Sequence, residues 1–212
     1  PRSVLVVVLN NVETGEPFAF ISANLLSAMR TGSIPAVGAK YLASKNAKTA
    51  AVIGAGVIGK ATITCMKAAL PGLTKALVYD LVREKAEAFC AEMSKELGFS
   101  FEAANSMEEA VRAADVITIA TAGSTTPVLK TEWVKPNAFI ATQGTADIPD
   151  DLFVSSRVVF DEIKMHRSWK EEEEAIPESQ AAKRLGFPGS GVFRLCEEGK
   201  MDEAGLGSLS EI

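Results

Sequence analysis

The sequence predicts an α/β protein built on a doubly wound, mostly parallel sheet, and three observations carry that prediction. Apolar strand-like runs alternate with helix-forming runs between residues 48 and 162, the pattern of helices wrapped over both faces of a parallel sheet. Val116-Ile117-Thr118-Ile119-Ala120 and Ala138-Phe139-Ile140-Ala141-Thr142 are almost uninterrupted in apolar residues, as strands buried on both faces require. Finally, Ala51-Val52-Ile53 runs straight into Gly54-Ala55-Gly56-Val57-Ile58-Gly59, followed by a helix-forming stretch, a Pro71-Gly72 break and a second strand ending at Asp80.

The remaining elements follow in chain order. Val4 to Leu9 is apolar and rich in valine, Asn10 to Gly15 has turn chemistry, and Glu16 to Ile21 resumes an extended pattern, so a hairpin is expected. Ser22 can cap a helix whose pattern runs from Asn24 to Met29. Arg30 to Pro35 is expected to break or kink it, because Pro35 has no backbone donor and biases Ile34 away from the helical region. Ala36 to Ser44 is helical again, and Lys45 to Lys48 is a short polar link. After Asp80, Glu84 to Leu97 forms an amphipathic helix stopped by Gly98. Phe99 to Ala103 is a third strand, and Ser106-Met107-Glu108-Glu109 has capping-box form, opening a helix to Ala113. The two apolar runs and Arg157 to Asp161 bring the strands to six. Beyond them, Lys170 to Glu174 is a solvated helix face or loop, Gly186 to Gly191 a loop, and Leu195 to Met201 a short helix.

Composition narrows the function classes. The 212 residues are 47% hydrophobic and 23% charged, with a net charge of −5. That balance is ordinary for a globular protein and gives no general attraction to nucleic acid or an anionic membrane. No apolar run approaches the roughly 20 residues of a spanning helix. Cys65, Cys90 and Cys196 are odd in number and widely spaced, which points to free thiols in a reducing cytoplasm rather than to disulfides or a metal site. The chain opens at Pro1 without an initiator methionine and closes at Ile212. We therefore expect a piece of a longer protein, divided into 1–47, 48–162 and 163–212. The first is part of a second, α+β substrate and dimerisation domain, the second binds dinucleotide, and the third returns towards the first.

The glycine-rich turn carries the sharpest functional signal. In a strand–turn–helix context, GxGxxG is the Rossmann dinucleotide fingerprint. Gly54 permits the tight turn, Gly56 lets the backbone approach a pyrophosphate, and Gly59 lets the helix pack closely on its strand. The helix N-terminus then presents N–H groups and partial positive charge to the phosphates. Asp80 lies 21 residues after Gly59, close to the spacing of the acid that binds the adenosine ribose. A carboxylate there favours NAD, since it repels a 2′-phosphate. Arg83 lies close enough to leave NADP possible.

Ligands of open α/β sheets bind outside the carboxyl ends of the strands. Two such ends offer chemistry here. Thr121 closes the Val116 strand and opens a loop to Pro127 whose Ser124, Thr125 and Thr126 could contact ribose or nicotinamide, or simply form a polar loop; Thr121 is the stronger candidate. After the Ala138 strand, Gln143, Gly144 and Asp147 lie where a group would face the nicotinamide. Asp147 is a general acid/base candidate if burial raises its pKa, and a plain loop aspartate otherwise. Outside the sheet, Arg30 beside Thr31 could clamp a substrate carboxylate. His166, the lone histidine, is a possible proton shuttle, but its charged neighbours suggest an exposed polar segment.

Leu25 to Ala43, LLSAMRTGSIPAVGAKYLA, followed by Lys48 to Gly56, resembles the ornithine cyclodeaminase/mu-crystallin family, and the Thr121–Pro127 loop and Arg157–Asp161 run are similar as well. The resemblance implies hydride transfer between a nicotinamide and the α-carbon of an amino or imino acid. The implied reaction is ornithine cyclodeaminase-like, or the net reduction of a ketimine such as pyrroline-2-carboxylate, or an opine-type or alanine dehydrogenase reaction. It also admits a non-catalytic NAD(P)H-binding protein. By position it implies that Arg30 binds the substrate carboxylate near the cofactor with Thr31 beside it. Val57 and Ile58 would cover the pyrophosphate, Asp80 would hold the ribose, and Thr121 would line the nicotinamide side. The family's catalytic Asp stands two residues after the glycine matching Gly144, where this chain has Ala146. Counted from Pro149, Asp147-Ile148-Pro149 fits the family's Asp-x-Pro. Either the loop carries an extra residue or that acid is missing. The resemblance further implies a cytoplasmic homodimer whose dimerisation sheet includes Val4 to Ile21.

Overall fold

The computed structural model describes residues 4–121, 126–179 and 188–212. Its centre is a five-stranded, wholly parallel sheet made of β3 (Thr49–Ile53), β4 (Lys75–Tyr79), β5 (Ser100–Ala103), β6 (Val116–Ile119) and β7 (Phe139–Thr142), ordered β5-β4-β3-β6-β7. Strand order reverses at β3, which pairs with β4 on one side and β6 on the other, Val52 facing both Val78 and Thr118. That reversal is the topological switch point of a doubly wound fold.

Alternation along the strands builds one core on each face of the sheet. Ala50 and Val52 of β3 pack with Ile63 and Met66 of α2 (Val57–Ala69) and with Phe89 and Met93 of α3 (Arg83–Leu97). Ala51 and Ile53, from the same strand, pack instead with Ala110 and Val111 of α4 (Met107–Ala113), and with Ile117, Ile119 and Leu129. The ends of these helices follow the sequence signals. Gly98 caps α3 in the left-handed region at φ +67°. Ser106 Oγ accepts from the Glu109 N–H at 3.1 Å, while the Glu109 carboxylate reaches back to the Asn105 N–H at 2.7 Å.

The expected hairpin is present as β1 (Val6–Asn10) paired antiparallel with β2 (Pro17–Ser22), and most of its apolar side chains are exposed. Helix α1 (Asn24–Leu42) departs from expectation, because it runs unbroken through Arg30–Pro35 with Pro35 inside it. The reason is packing: Ala28, Gly32, Pro35, Ala36, Gly38 and Ala39 are all buried along one side. A Cβ on Gly32 would lie 2.6 Å from the Ala61 carbonyl carbon of α2, and one on Gly38 would lie 3.3 Å from the Phe139 ring of β7. Small residues bring α1 almost to backbone contact with α2, and that burial offsets the roughly 3 kcal/mol cost of an interior proline. The start of α1 differs too. Ser22 is the last residue of β2, Ala23 stands at the cap without a side-chain bond, and Asn24 Oδ1 accepts from the Leu5 N–H at 3.0 Å, tying helix to hairpin.

Two further corrections concern the C-terminal third. The Arg157–Asp161 run does not add a sixth strand to the main sheet. Its core, β8 (Val159–Phe160), pairs in parallel with β9 (Gly207–Ser208). The short helix α5 (Asp150–Val154) precedes it, and α6 (Ile163–Glu174) and α7 (Pro188–Glu197) follow. Phe160, Val192 and Phe193 form their own small core with Phe153 and Ile163 packed against it, and an apolar run that fills this cluster looks identical in sequence to an ordinary sheet strand. The loop expected over Gly186–Gly191 is helical from Pro188 onward, proline suiting a first helical turn; Gly186 and Phe187 lie outside the described residues.

Candidate dinucleotide-binding site

The carboxyl edge of the sheet brings three loops into backbone contact. Gly54, at φ +103°, turns the chain off β3 beneath β6, so that a Cβ there would lie 2.8 Å from the Ala120 carbonyl oxygen. Gly59 lies against the first glycine, since its Cβ would sit 2.4 Å from the Gly54 oxygen. Gly144 repeats the device from the other side, its Cβ position being 2.2 Å from the Thr121 oxygen. The turn after β3, the end of β6 and the loop after β7 therefore touch with no side chain between them. Thr121 Oγ1 closes the group by donating to the Thr145 carbonyl at 3.2 Å.

Gly56 is different. Nothing lies within 4 Å of where its Cβ would be, and it forms the cap of α2 in extended backbone without any side-chain cap. A glycine that clashes with nothing, at an uncapped helix N-terminus, is open to a group brought from outside. The first-turn N–H groups and the helix dipole suit that group to be anionic. Val57 stands exposed directly after it. Asp80, just past β4, points its carboxylate at the same turn: Oδ2 accepts from the Ala55 N–H at 2.9 Å and Oδ1 from the Val82 N–H at 3.0 Å. These residues fit a dinucleotide with its pyrophosphate on the turn and a ribose beside Asp80. Arg83 is turned aside, with Nε on Glu87 and Nη1 on Asn105, each at 2.8 Å.

The structure thus brings together Gly54, Gly56, Val57, Ile58, Gly59 and Asp80, and aligns Thr121, Gln143 and Gly144 along the adjoining edge. Asp147 is exposed, its backbone fixed by bonds to Pro127 and Leu129 of 2.9 Å each. Ala146, in the place two residues after Gly144, is buried in the core. Arg30 and Thr31 lie on α1 outside the sheet, joined to the site through the crossing of Gly32 on α2. Ser124 and Thr125 lie outside the described residues.

Other expected candidates fall elsewhere. His166 is not in an exposed segment: Nε2 is 2.7 Å from Asp161 Oδ1, and its ring packs against Phe160 and Trp169. It packs on the small C-terminal core. The cysteines are free thiols, and burial, with Glu102 and Glu87 nearby, pushes Cys90 up to about 11, which leaves it un-ionised at neutral pH. Among the described residues, no group of three or more His, Cys, Asp or Glu could hold a metal ion, and no helix is long and apolar enough to cross a membrane. Sequence reasoning missed Thr62 and Thr118, both fully buried and both bonded to Gln143 at 2.7 Å. A threonine inside Val116–Ile119 and another on the sheet-facing side of α2 were the available signals.

A doubly wound parallel sheet with a glycine fingerprint at its switch point and an acid after the neighbouring strand β4 defines a dinucleotide-binding α/β protein. More particularly, the chain belongs to the ornithine cyclodeaminase/mu-crystallin family, whose model matches residues 1–176. It is 29% identical over 163 residues to N-((2S)-2-amino-2-carboxyethyl)-L-glutamate dehydrogenase of Staphylococcus aureus, covering 76% of this chain and 48% of that one. It is 40% identical over 115 residues to the ornithine cyclodeaminase of Agrobacterium fabrum, covering 54% of this chain and 32% of the relative. Among solved structures, the Δ1-pyrroline-2-carboxylate reductase of Thermococcus litoralis in complex with NADH and L-proline is similar. Its TM-score is 0.76 at 29% identity, over 99% of this chain and 60% of that one. The chain spans half or less of the length of the two curated relatives.

Proposed function

We propose that this chain forms the cofactor-binding part of a nicotinamide-dependent oxidoreductase that moves hydride at the α-carbon of an amino or imino acid. The observation that carries the reading is the Gly54–Gly59 turn, open at Gly56 and closed everywhere else, with the Asp80 carboxylate drawn onto it. Gly56, Val57, Ile58 and Gly59 hold the pyrophosphate, Asp80 holds the adenosine ribose, and Thr121, Gln143 and Gly144 shape the nicotinamide side. The bound nicotinamide supplies or accepts the hydride. Arg30, with Thr31, binds the substrate carboxylate, a role suited to a planar guanidinium. The Asp80 carboxylate and the sequestered Arg83 favour NAD over NADP.

Within this class, net reduction of a cyclic imine is favoured over ornithine cyclisation by one observation. The position two residues after Gly144 is the buried Ala146, and Asp147 stands exposed beside it. The similarity over nearly the whole chain to the Thermococcus reductase supports the same choice. A main sheet lying wholly within 49–142 supports a dinucleotide-binding part centred there, while Phe153 and Phe160 share a core with Val192 and Phe193, so the C-terminal part begins before the expected boundary at 162. A cytoplasmic homodimer completes the reading, supported by the exposed apolar hairpin.

Titration with NADH and NADPH, followed by NADH oxidation with Δ1-pyrroline-2-carboxylate in the full-length protein, tests the proposal. Imine-dependent oxidation supports the reductase, and ornithine-dependent ammonia release with catalytic NAD would transfer the reading to cyclodeamination. Cofactor binding with neither activity would leave a binding protein. If neither dinucleotide binds at millimolar concentration, the cofactor reading falls.

A further inference from the structure

We infer that Gln143 is a positioning residue, whose side chain locks the loop after β7 onto helix α2 and thereby sets the nicotinamide half of the site. The inference rests on the nicotinamide reading above and assigns Gln143 a role that needs no contact with the cofactor. The Thr118 hydroxyl of β6 donates to Gln143 Oε1 at 2.7 Å, and Gln143 Nε2 donates to the Thr62 hydroxyl of α2 at 2.7 Å. Both threonines have 0% exposure, so the amide is turned inward, across the interior between sheet and helix. An unpaired hydroxyl in such a place is costly, so the two threonines together hold the Gln143 side chain between sheet and helix.

What the bridge joins makes it functional. Thr62 lies one turn beyond the Val57–Gly59 start of α2, where the pyrophosphate is held, and the Ala61–Thr62 backbone is also where α1 crosses at Gly32, two residues past Arg30. At the other end, the Gln143 N–H donates to the Ile119 carbonyl at 2.9 Å, and the next residue, Gly144, lies against the Thr121 backbone. The loop carrying Gly144 and Asp147 is thus referenced to the helix that holds the phosphates and to the helix that carries Arg30. A purely apolar residue could fill the space, but it would not fix the loop at a single height along α2.

The test compares two ligands, NADH and ADP-ribose, which share the adenosine and pyrophosphate and differ in the nicotinamide. Gln143→Met keeps length and removes both bonds. We expect it to weaken NADH binding by about tenfold while changing ADP-ribose affinity less than about twofold, as two lost bonds at one end of the site dictate. Gln143→Glu, which can still accept from both hydroxyls, should recover part of the difference. If Gln143→Met does not fold, Thr62→Val is read in the same way, since it cuts the bridge from the helix side without changing volume. Equal losses for the two ligands, or a loss of thermal stability with both affinities intact, would overturn the inference. Failure of the unsubstituted protein to bind either ligand would remove the nicotinamide reading itself, and this inference with it.

Discussion

At the scale of single residues, the glycines of the fingerprint do separable jobs, and the separation is measurable. A methyl on Gly59 would meet the Gly54 carbonyl oxygen at 2.4 Å, whereas one on Gly56 would meet nothing within 4 Å. Gly59→Ala should therefore destabilise the protein by about 1–3 kcal/mol, the usual cost of forcing an atom into a packed site. Gly56→Ala should leave denaturant unfolding unchanged and weaken NADH binding severely, because it intrudes only on the ligand's space. Equal stability losses in the two variants would refute this assignment. A second residue-scale prediction concerns acid. The hydrogen bond from His166 holds the Asp161 carboxyl below the ordinary carboxylate range, against the opposing effect of burial. A depressed carboxyl stabilises the fold above its unfolded pKa of about 3.9 and loses that contribution as pH falls through the folded value. His166→Leu should raise the Asp161 pKa towards its unfolded value, lower stability at neutral pH and flatten the acid arm of the stability curve in denaturant titrations. Superimposable acid arms would show the bond to be without consequence. The same bond leaves His166 Nδ1 buried with no partner among the described residues.

At the scale of elements, α1 is decided by its contacts more than by its own sequence. Gly32, Pro35 and Gly38 all disfavour a helix interior, yet the helix runs from Asn24 to Leu42 because those small residues bury it against α2 and β7. Gly32→Ala would place a methyl 2.6 to 2.8 Å from the backbone of Ala61 and Thr62. We expect it to force the two helices apart, destabilise by about 1–3 kcal/mol, and weaken substrate binding through the displaced Arg30; unchanged unfolding would contradict the packing described. This explains which elements were legible in advance. The β3–α2–β4 unit, α3 with Gly98 and α4 with Ser106 announce themselves through local chemistry, and each forms where the sequence places it. Helix α1 hides behind its proline because the compensating contacts lie in another element. Strand β8 has strand composition, yet its partner is Gly207–Ser208 near the chain end, which no local pattern reveals. In the site, the glycine turn and Asp80 are legible for the same local reason. The Thr62–Gln143–Thr118 bridge is not, because it joins three distant segments through one side chain.

At the scale of the whole molecule, the central strands β3 and β6 are buried and the hairpin is not. Phe18 is 69% and Phe20 73% exposed, with Val4, Leu25 and Leu26 exposed as well. Monomeric proteins rarely leave so much contiguous apolar surface to water. We expect the chain to self-associate in sedimentation experiments and expect Phe18→Glu with Phe20→Glu to shift it towards monomer without changing NADH affinity. A monomeric unsubstituted chain would remove the hairpin from the proposed interface. The asymmetry also fits a chain that spans half or less of its curated relatives.

The glutamine bridge carries a last consequence, for the order in which the molecule assembles. Its two ends are 81 residues apart in sequence, and the parallel strands it spans need crossover connections before they can pair. Contacts between distant segments form late, after the entropy of closing long loops has been overcome. The β3–α2–β4 unit is contiguous in sequence, so we expect the end of the cleft proposed for adenosine to mature first. The nicotinamide end is completed only when β7 docks and Gln143 finds Thr62. A refolding chain followed in time should recover ADP-ribose binding before it recovers any preference for NADH.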